Sequence, residues 1–260
     1  MKIATWNVNS IKARLEPALA WLKAANPDVV CLQEIKCVDE NFPRETFESL
    51  GYNCAVHGQK SYNGVAILSK RPIEDVTPRL PAPDGVLDEH SRYLEAVITG
   101  DKGVVRVGSI YAPNGNPQPG PKFDYKLAWF DRLIDHAHAL LESGRPVVLA
   151  GDLNVVPTDF DIYNAWAWRF DAVMQPQTRA AYRRLLAQGW IDAHRHLHPK
   201  TRIYTYWVNE AAYRRNAGFR MDFVLLSPSL LPRLREAGVD AEHRGREKPS
   251  DHAPTWVTLA

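Results

Sequence analysis

Four short apolar runs, each closing on an amide or a carboxylate, constrain the fold of this 260-residue chain more than any other feature. They are Ile3-Ala4-Thr5-Trp6 before Asn7, Val29-Val30-Cys31-Leu32 before Gln33-Glu34, residues 105–110 before Tyr111 and Asn114, and Val147-Val148-Leu149-Ala150 before Gly151-Asp152-Leu153-Asn154. Runs of this length and apolarity read as buried strands. An ionised carboxylate is costly to bury unless it is paired or holds a cation. Hard oxygen donors at several strand ends therefore predict one shared cation site. The pattern returns near the C-terminus in Arg220-Met221-Asp222 and in Ser250-Asp251-His252, the latter just before Trp256-Val257-Thr258-Leu259.

Helical patterns separate the runs. Ser10 is placed as an N-cap for Ile11, Leu15, Leu19 and Leu22, with Asn26-Pro27 as the stop. Phe47 and Leu50 mark a short helix ended by Gly51; residues 64–69 read as a strand with Lys70-Arg71-Pro72 as its exit. Residues 78–91, with three prolines and Asp84-Gly85, read as loop. Residues 93–99 and 104–111 form an expected strand pair across 100–103. The segment 112–121 is rich in Pro, Gly and Asn; it is read as a site loop because it leads into the longest helix pattern. That helix is expected over 122–143, with Phe123, Leu127, Phe130, Ile134, Ala137 and Leu141 on one face and Gly144 as its stop. A second loop, 155–172, leads to a helix near 176–187, and residues 200–220 are polar, aromatic and irregular with strand character at 203–207. Strands at 221–227 and 255–259 close the chain. Alternating strands and helices with some hairpins indicate an α/β sandwich with mixed sheets. No linker interrupts the motifs from Asn7 to His252, so residues 1–260 are expected to form one domain.

Composition narrows the function classes. Net charge is only +2, which neither demands nor excludes a nucleic-acid partner. Three cysteines, Cys31, Cys37 and Cys54, have spacings that suit neither a disulfide framework nor a thiolate zinc site; Cys31 lies in a strand pattern and is expected in the core. No stretch approaches a membrane span, and the first residues enter a strand with no signal-peptide pattern, so a reducing cytoplasm is expected.

Each candidate site residue has a plainer reading beside the functional one. Glu34 alone could be a solvated strand-end carboxylate, and Asn7 a turn residue. Asp152 and Asn154, at i and i+2, point to the same side if extended: the acid could take a proton from water and the amide could hold that water or a phosphate oxygen, or the pair could be an Asx-turn. Asp251-His252 could be a surface pair; Asp222 matters because a second acid could orient the His252 ring and favour its protonated form. A protonated imidazole next to a phosphate would stabilise the charge that grows in the transition state. His194, His196 and His198 alternate, which puts them on one side of an extended stretch ending at Pro199, and His136 and His138 do not face each other on a helix. Oxygen-rich ligands select Mg²⁺ or Mn²⁺ over zinc. Without an evident serine or cysteine nucleophile, water is the expected attacker. Together the residues suit metal-assisted phosphodiester hydrolysis.

The chain resembles the exonuclease III type of apurinic/apyrimidinic endonuclease, within the endonuclease/exonuclease/phosphatase superfamily. The resemblance rests on TWNVNSIKARL (5–15), CLQEIK (31–36), SYNGVAILSK (61–70), YAPNGNPQPGPKFDYKLAW (111–129), GDLNVVPTDFDIYN (151–164), RMDFVLLS (220–227) and SDHAP (250–254), and it covers nearly the whole chain. The 111–129 string is the most specific of these. The resemblance implies a four-layer, deoxyribonuclease I-like α/β sandwich of two packed mixed sheets flanked by helices. It implies Glu34 as principal metal ligand with Asn7 and Asp251 beside it, and Asp152, Asn154 and His252 as further candidate ligands. Asp152 looks like the residue that activates water, Asn154 its partner, Asp222 the partner of His252, and Tyr111 a phosphate or leaving-group contact with Asn114 nearby. One or two ions, and Asp152 as base or as ligand, both remain open.

Lys60, Tyr62, Arg92 and Lys122 are candidate phosphate contacts in loops beside the motifs. Tyr206, Trp207, Phe219 and Met221 match the family's pocket for a flipped-out abasic sugar; core packing is the plainer reading. Val208-Asn209 followed by Glu210-Ala211-Ala212 departs from the Asp-Tyr usual in bacterial relatives, so a different pocket rim is expected. The expected activity is a Mg²⁺-dependent repair nuclease that cuts duplex DNA 5′ to abasic sites and removes 3′ nucleotides or blocking groups. The expected protein is monomeric, independent of membranes and cytoplasmic, with bacterial nucleoid DNA as substrate. A phosphatase or phospholipase of the same superfamily and a DNA-binding scaffold without catalysis are the rival readings.

Overall fold

The computed structural model describes residues 1–82 and 85–260; Pro83 and Asp84 of the expected 78–91 loop lie outside them. The first sheet contains β1 (Lys2–Asn7), β2 (Val29–Gln33), β3 (Asn53–His57), β4 (Val65–Ser69), β11 (Leu234–Val239) and β12 (Thr255–Leu259), in the order β11-β12-β1-β2-β4-β3. The second contains β5 (Ile73–Pro78), β6 (Tyr93–Gly100), β7 (Gly103–Tyr111), β8 (Val147–Asp152), β9 (Ile191–Asp192) and β10 (Asp222–Leu226), in the order β5-β6-β7-β8-β10-β9. Each sheet has one parallel pair at its centre, β1 with β2 and β7 with β8. A helix crosses between the members of each pair: α1 (Leu15–Ala25) in the first and α3 (Pro121–Glu142) in the second. The remaining pairings are antiparallel. The sequence carries no repeat, yet the two sheets share one strand arrangement, except that a hairpin joins β6 to β7 where the corresponding β12 and β1 are the last and first strands of the chain.

Side-chain alternation explains the unbroken apolar runs. Ile3, Val29, Cys31, Val107, Val148, Ala150 and Val224 meet in the core between the sheets. Ala4, Trp6, Val30 and Leu32 face outward against Trp21 and Leu22 of α1 and Phe47 of α2 (Arg44–Glu48). Tyr93, Leu149, Phe223 and Leu225 face outward on the other side, against Phe130 and Ile134 of α3 and Tyr182 of α4 (Pro176–Ala187). The result is four layers, helix–sheet–sheet–helix. Inward columns grow polar toward one end: Ile3, Thr5, Asn7; Cys31, Gln33; Val107, Ser109, Tyr111; Ala150, Asp152. Thr5 Oγ1 donates to Gln33 Oε1 at 3.1 Å and Gln33 Nε2 donates to Ser109 Oγ at 3.2 Å, so a polar layer joins the sheets just beneath that end.

Several local expectations change. Ser10 does not cap α1, which starts at Leu15; the backbone N–H groups of Ser10 and Ile11 instead bond Glu34 and Ile35 carbonyls, extending the pairing of the strand ends. Residues 203–207 form no strand: only Tyr206 makes bridges, to Phe219 and His252. The 194–198 histidines are not on an extended stretch. α5 (Ala193–Leu197), N-capped by Asp192, turns His194 into the protein and His196 to solvent. In α3, Lys126, Trp129 and Leu133 are buried, while Leu127 and Leu141 are only half-buried. Edge strands β5 and β11 were not foreseen because much of each is solvated and carries no apolar run, and β3 because its apolar stretch is only Cys54-Ala55-Val56. The last short helix, α6 (Glu210–Arg214), lies inside the 200–220 segment read as irregular and is capped by the Asn209 side chain. Among the described residues, no helix is long and apolar enough to cross a membrane.

Candidate active site

Strand polarity gathers the site. Parallel strands end together, so β1 and β2 deliver Asn7 and Gln33 side by side while β7 and β8 deliver Tyr111 and Asp152. Antiparallel β10 begins where β8 ends, and Asp222 pairs with Asp152. Antiparallel β12 starts beside the end of β1, which leaves Ser250, Asp251 and His252 at the same rim. Gly151 permits the close approach of β8 to β7: a Cβ there would run into the Ile110 carbonyl.

Asn7 bridges the sheets. Its Nδ2 donates to Glu34 Oε1 at 2.8 Å and to Asp152 Oδ2 at 3.0 Å. Glu34 sits just past β2 with φ +52, a left-handed conformation that a glutamate rarely adopts. Its Oε2 pairs with Lys36 Nζ at 2.9 Å, and the same ammonium donates to Asn9 Oδ1 at 2.6 Å. Burial alone would raise the Glu34 pKa, but the Asn7 amide and Lys36 overcome it and hold it below its ordinary value. Asn9 Nδ2 also donates to Asp251 Oδ1 at 3.1 Å. Burial raises Asp251 too, and the His252 charge and the Asn9 bond outweigh it.

A buried triad lies opposite. His252 Nδ1 is 2.8 Å from Asp222 Oδ2, and its Nε2 is 3.7 Å from Asp152 Oδ2. Burial would deprotonate the imidazole, but Asp222 and Asp152 raise its pKa to about 10. Asp152 is lifted to about 7 by burial, with protonated His252 pulling it down and Asp222 pushing it up. The ring is therefore the proton holder. Trp6 Nε1 donates to the His252 carbonyl at 3.1 Å, and the Tyr206 ring lies 4.8 Å from the imidazole. Asp152 Oδ1 accepts from the Asn154 backbone N–H at 2.8 Å; Asn154 Nδ2 donates to the Ala112 carbonyl at 2.9 Å. Burial and the carboxylates of Glu34 and Asp152 push the Tyr111 phenol well above its ordinary pKa, so it stays a donor.

The donor set suits a hard divalent cation. Asn7, Glu34 and Asp251 offer only oxygens for a metal, and Lys36 already places a positive charge against Glu34. Asp152, Asp222 and His252 also have donor atoms within 4.8 Å of one another, but His252 could join them on an ion only by giving up the proton that the two carboxylates hold on it.

The DNA-contact candidates separate. The Arg92 guanidinium stacks on the Tyr111 ring at 4.9 Å from its centroid. Asn114 is exposed and donates to Asn154 Oδ1 at 3.3 Å. Lys60 and Tyr62 are exposed in the loop before β4, whereas Lys122 is exposed on the first turn of α3 and not in a loop; among the described residues no side-chain hydrogen bond ties the three to the site. Phe219 and Met221 are buried in a cluster with Val156, Ile162 and Met174, while Tyr206 is half-buried against it. Trp207 is 1% exposed, packs with Tyr204 and Ala253, and donates to Asn216 Oδ1 at 3.3 Å, so its ring offers a ligand almost no surface.

Sequence reasoning missed Lys126. Its ammonium, fully buried, donates to the Asn154 carbonyl at 2.6 Å and the Asn114 carbonyl at 2.9 Å and so ties both site loops to α3. Burial lowers its pKa to about 7. The signal was present: a lysine at i+3 from Phe123 and i−4 from Phe130 stands in the apolar stripe. Asn9 and Lys36, which flank Glu34, were missed because nothing local marks them. Arg220, quoted only as part of a motif, bonds Asp161 at 2.7 Å and Asp192 at 2.6 Å in a buried network that fixes the start of β10.

Residues 4–252 match the Endonuclease/Exonuclease/phosphatase family. Exodeoxyribonuclease III of Haemophilus influenzae is 32% identical over 266 residues, covering 99% of both chains. An AP endonuclease from Archaeoglobus fulgidus has the same fold, with TM-score 0.93, 34% identity, and 100% of this chain and 99% of that one covered. The 3′ phosphatase NExo from Neisseria, solved bound to product DNA hairpin, gives TM-score 0.94 at 36% identity, with 100% and 99% covered.

Proposed function

Because the chain belongs to the endonuclease/exonuclease/phosphatase family, we propose that it is a divalent-metal-dependent DNA repair nuclease that cuts duplex DNA 5′ to abasic sites and removes 3′ nucleotides or blocking groups. The observation that carries this reading is the meeting of Asn7, Glu34, Asp152, Asp222 and His252 at one rim between the sheets. Glu34, Asn7 and Asp251 would hold Mg²⁺, with Mn²⁺ as a substitute, as one ion or two. When bound, the ion supplies Lewis-acid stabilisation of charge on the phosphate oxygens.

The chain's own residues do the rest. Asp152 accepts the proton of the attacking water, its carboxylate oriented by the Asn154 N–H and the Asn7 amide. Asn154 and Tyr111 position the water and the phosphate or leaving oxygen. His252, kept protonated by Asp222, offers Nε2–H to a phosphate oxygen as negative charge builds. Arg92 and Asn114, with Lys60, Tyr62 and Lys122 farther out, are the phosphate grips. Tyr206, Phe219 and Met221 line the sugar pocket, and Trp207 supports it from behind. The core shared by the two sheets supports reading residues 1–260 as one domain. A monomer acting on cytoplasmic DNA completes the proposal.

The test is cleavage of a labelled abasic duplex beside a plain 3′-recessed duplex, with and without EDTA, and with phosphoinositide as a third substrate. Metal-dependent DNA cleavage is expected, and Asp152→Asn should lower turnover by about 10²-fold or more with the fold intact. Wild-type turnover in that variant would remove Asp152 from its role. Activity on phosphoinositide alone would favour the phosphatase reading, and binding without cleavage would favour a scaffold.

A further inference from the structure

Among the described residues, four aromatic side chains are more than half exposed, and three of them fall in one short segment: Tyr163 at 60%, Trp166 at 73% and Phe170 at 72%. Exposed aromatic surface of this density marks a binding site. Arg169 lies between two of these rings, its guanidinium carbon 3.9 Å from the Trp166 centroid and 4.3 Å from that of Phe170. The stack is held in place. Asn116 Nδ2 donates to Asp171 Oδ1 at 3.1 Å, the Asn116 Oδ1 accepts from Ala172 N at 3.0 Å, and Gln118 Nε2 donates to the Phe170 carbonyl at 2.8 Å. The rings are thus presented to solvent by a preorganised loop.

Ring contacts connect this segment to the catalytic histidine. Trp168 lies 4.7 Å from Phe219, Phe219 5.4 Å from Tyr206, and Tyr206 4.8 Å from His252. Tyr163 and Trp168 also line a groove of 440 Å³ with Phe219, Val208 and Asn209.

We propose that Trp166, Arg169 and Phe170 form a stacking platform for unpaired bases of a DNA single strand continuing from the duplex that carries the scissile phosphate. The inference rests on the nuclease reading and extends it to partly single-stranded substrates. Aromatic faces accept any base, and a guanidinium between them adds attraction for both π-faces and phosphates. The positive charge of Arg169 and the place of the platform on either side of Trp168, whose ring reaches the site through Phe219 and Tyr206, favour nucleic acid over a protein occupant.

The experiment measures affinity by fluorescence anisotropy in EDTA, where cleavage is off. It uses a blunt abasic duplex and the same duplex with a short single-stranded extension on either strand, the extension carrying 2-aminopurine. Trp166→Ala/Phe170→Ala should bind the extended DNA about 10-fold or more weakly. It should bind the blunt duplex nearly as wild type and lose the 2-aminopurine quenching seen with wild type. Arg169→Gln should fall between. Unchanged affinity for extended DNA, or equal losses on both duplexes, would overturn the platform. Wild-type protein that neither binds nor cuts the blunt abasic duplex would sink the nuclease reading itself, a result distinguishable from either of those.

Discussion

His252 Nδ1 lies 2.8 Å from Asp222 Oδ2, and both side chains are sealed from solvent. Among the described residues the second oxygen of that carboxylate has no hydrogen-bond partner, so the imidazolium is the main neutraliser of Asp222. Asp222→Asn should therefore lower the His252 pKa from about 10 and allow the ring to turn. In ¹⁵N spectra of the EDTA-treated protein, the wild-type ring should stay protonated through neutral pH, while the variant titrates at lower pH. Turnover on abasic duplex should drop by about 10²- to 10⁴-fold. A ring that stays protonated in the variant would show that Asp152 alone suffices.

Glu34 tests the metal site. Mg²⁺ binding to the folded state should raise the melting temperature, with about 2.7 kcal/mol of stabilisation at 100 times its Kd. Glu34→Gln should abolish that rise while lowering the metal-free melting temperature only modestly, since the amide can still accept from Asn7 and loses only the Lys36 ion pair. A rise that persists in the variant would move the ion toward Asp152 and Asp222.

Lys126→Met keeps the length of the side chain and removes the ammonium. The Asn114 and Asn154 carbonyls then lose a shared donor, at a cost of about 1–3 kcal/mol for each one left unsatisfied. Chemical denaturation should show that loss, and turnover should fall as the two loops loosen around Asp152. Equal stability of variant and wild type would mean that water replaces the ammonium.

His194 sets a pH dependence of stability distant from the catalytic rim. Its Nε2–H donates to the Gly238 carbonyl at 3.0 Å, and burial lowers its pKa from 6.5 to about 4. The unfolded chain therefore binds a proton between pH 6.5 and 4 that the folded chain refuses. The stability this group contributes is complete above its unfolded pKa and is lost as pH falls through that window. His194→Gln should remove about 3 kcal/mol of the stability that the wild type loses across that window in urea unfolding. Parallel slopes for both proteins would assign the acid sensitivity to other groups.

The core strands and their sharp ends were legible because buried strands write their environment into consecutive residues. Runs such as 147–150 must be apolar on both faces, and the first polar residue beyond marks where the sandwich opens. Parity was legible too. Asn7, Tyr111, Asp152 and Asp222 each share the alternation of the inward column in their own strand. Edge strands left no such record, since half of each faces water. Ser10 looked like a cap by residue type, but the pairing of residues 10 and 11 with 34 and 35 claimed that backbone.

By itself, then, the order of residues determined which segments are buried, where each one ends, and which donors stand at those ends. Only the tertiary structure decided which ends meet. That depends on strand pairing between residues far apart in the chain, such as Asp152 with Asp222 and Thr5 with Thr255. It also decided that Lys126 reaches under two loops, that Lys36 and Asn9 brace Glu34, and that Trp207 is packed away. These are contacts across the space between elements, and a local pattern carries no information about the partner on the other side.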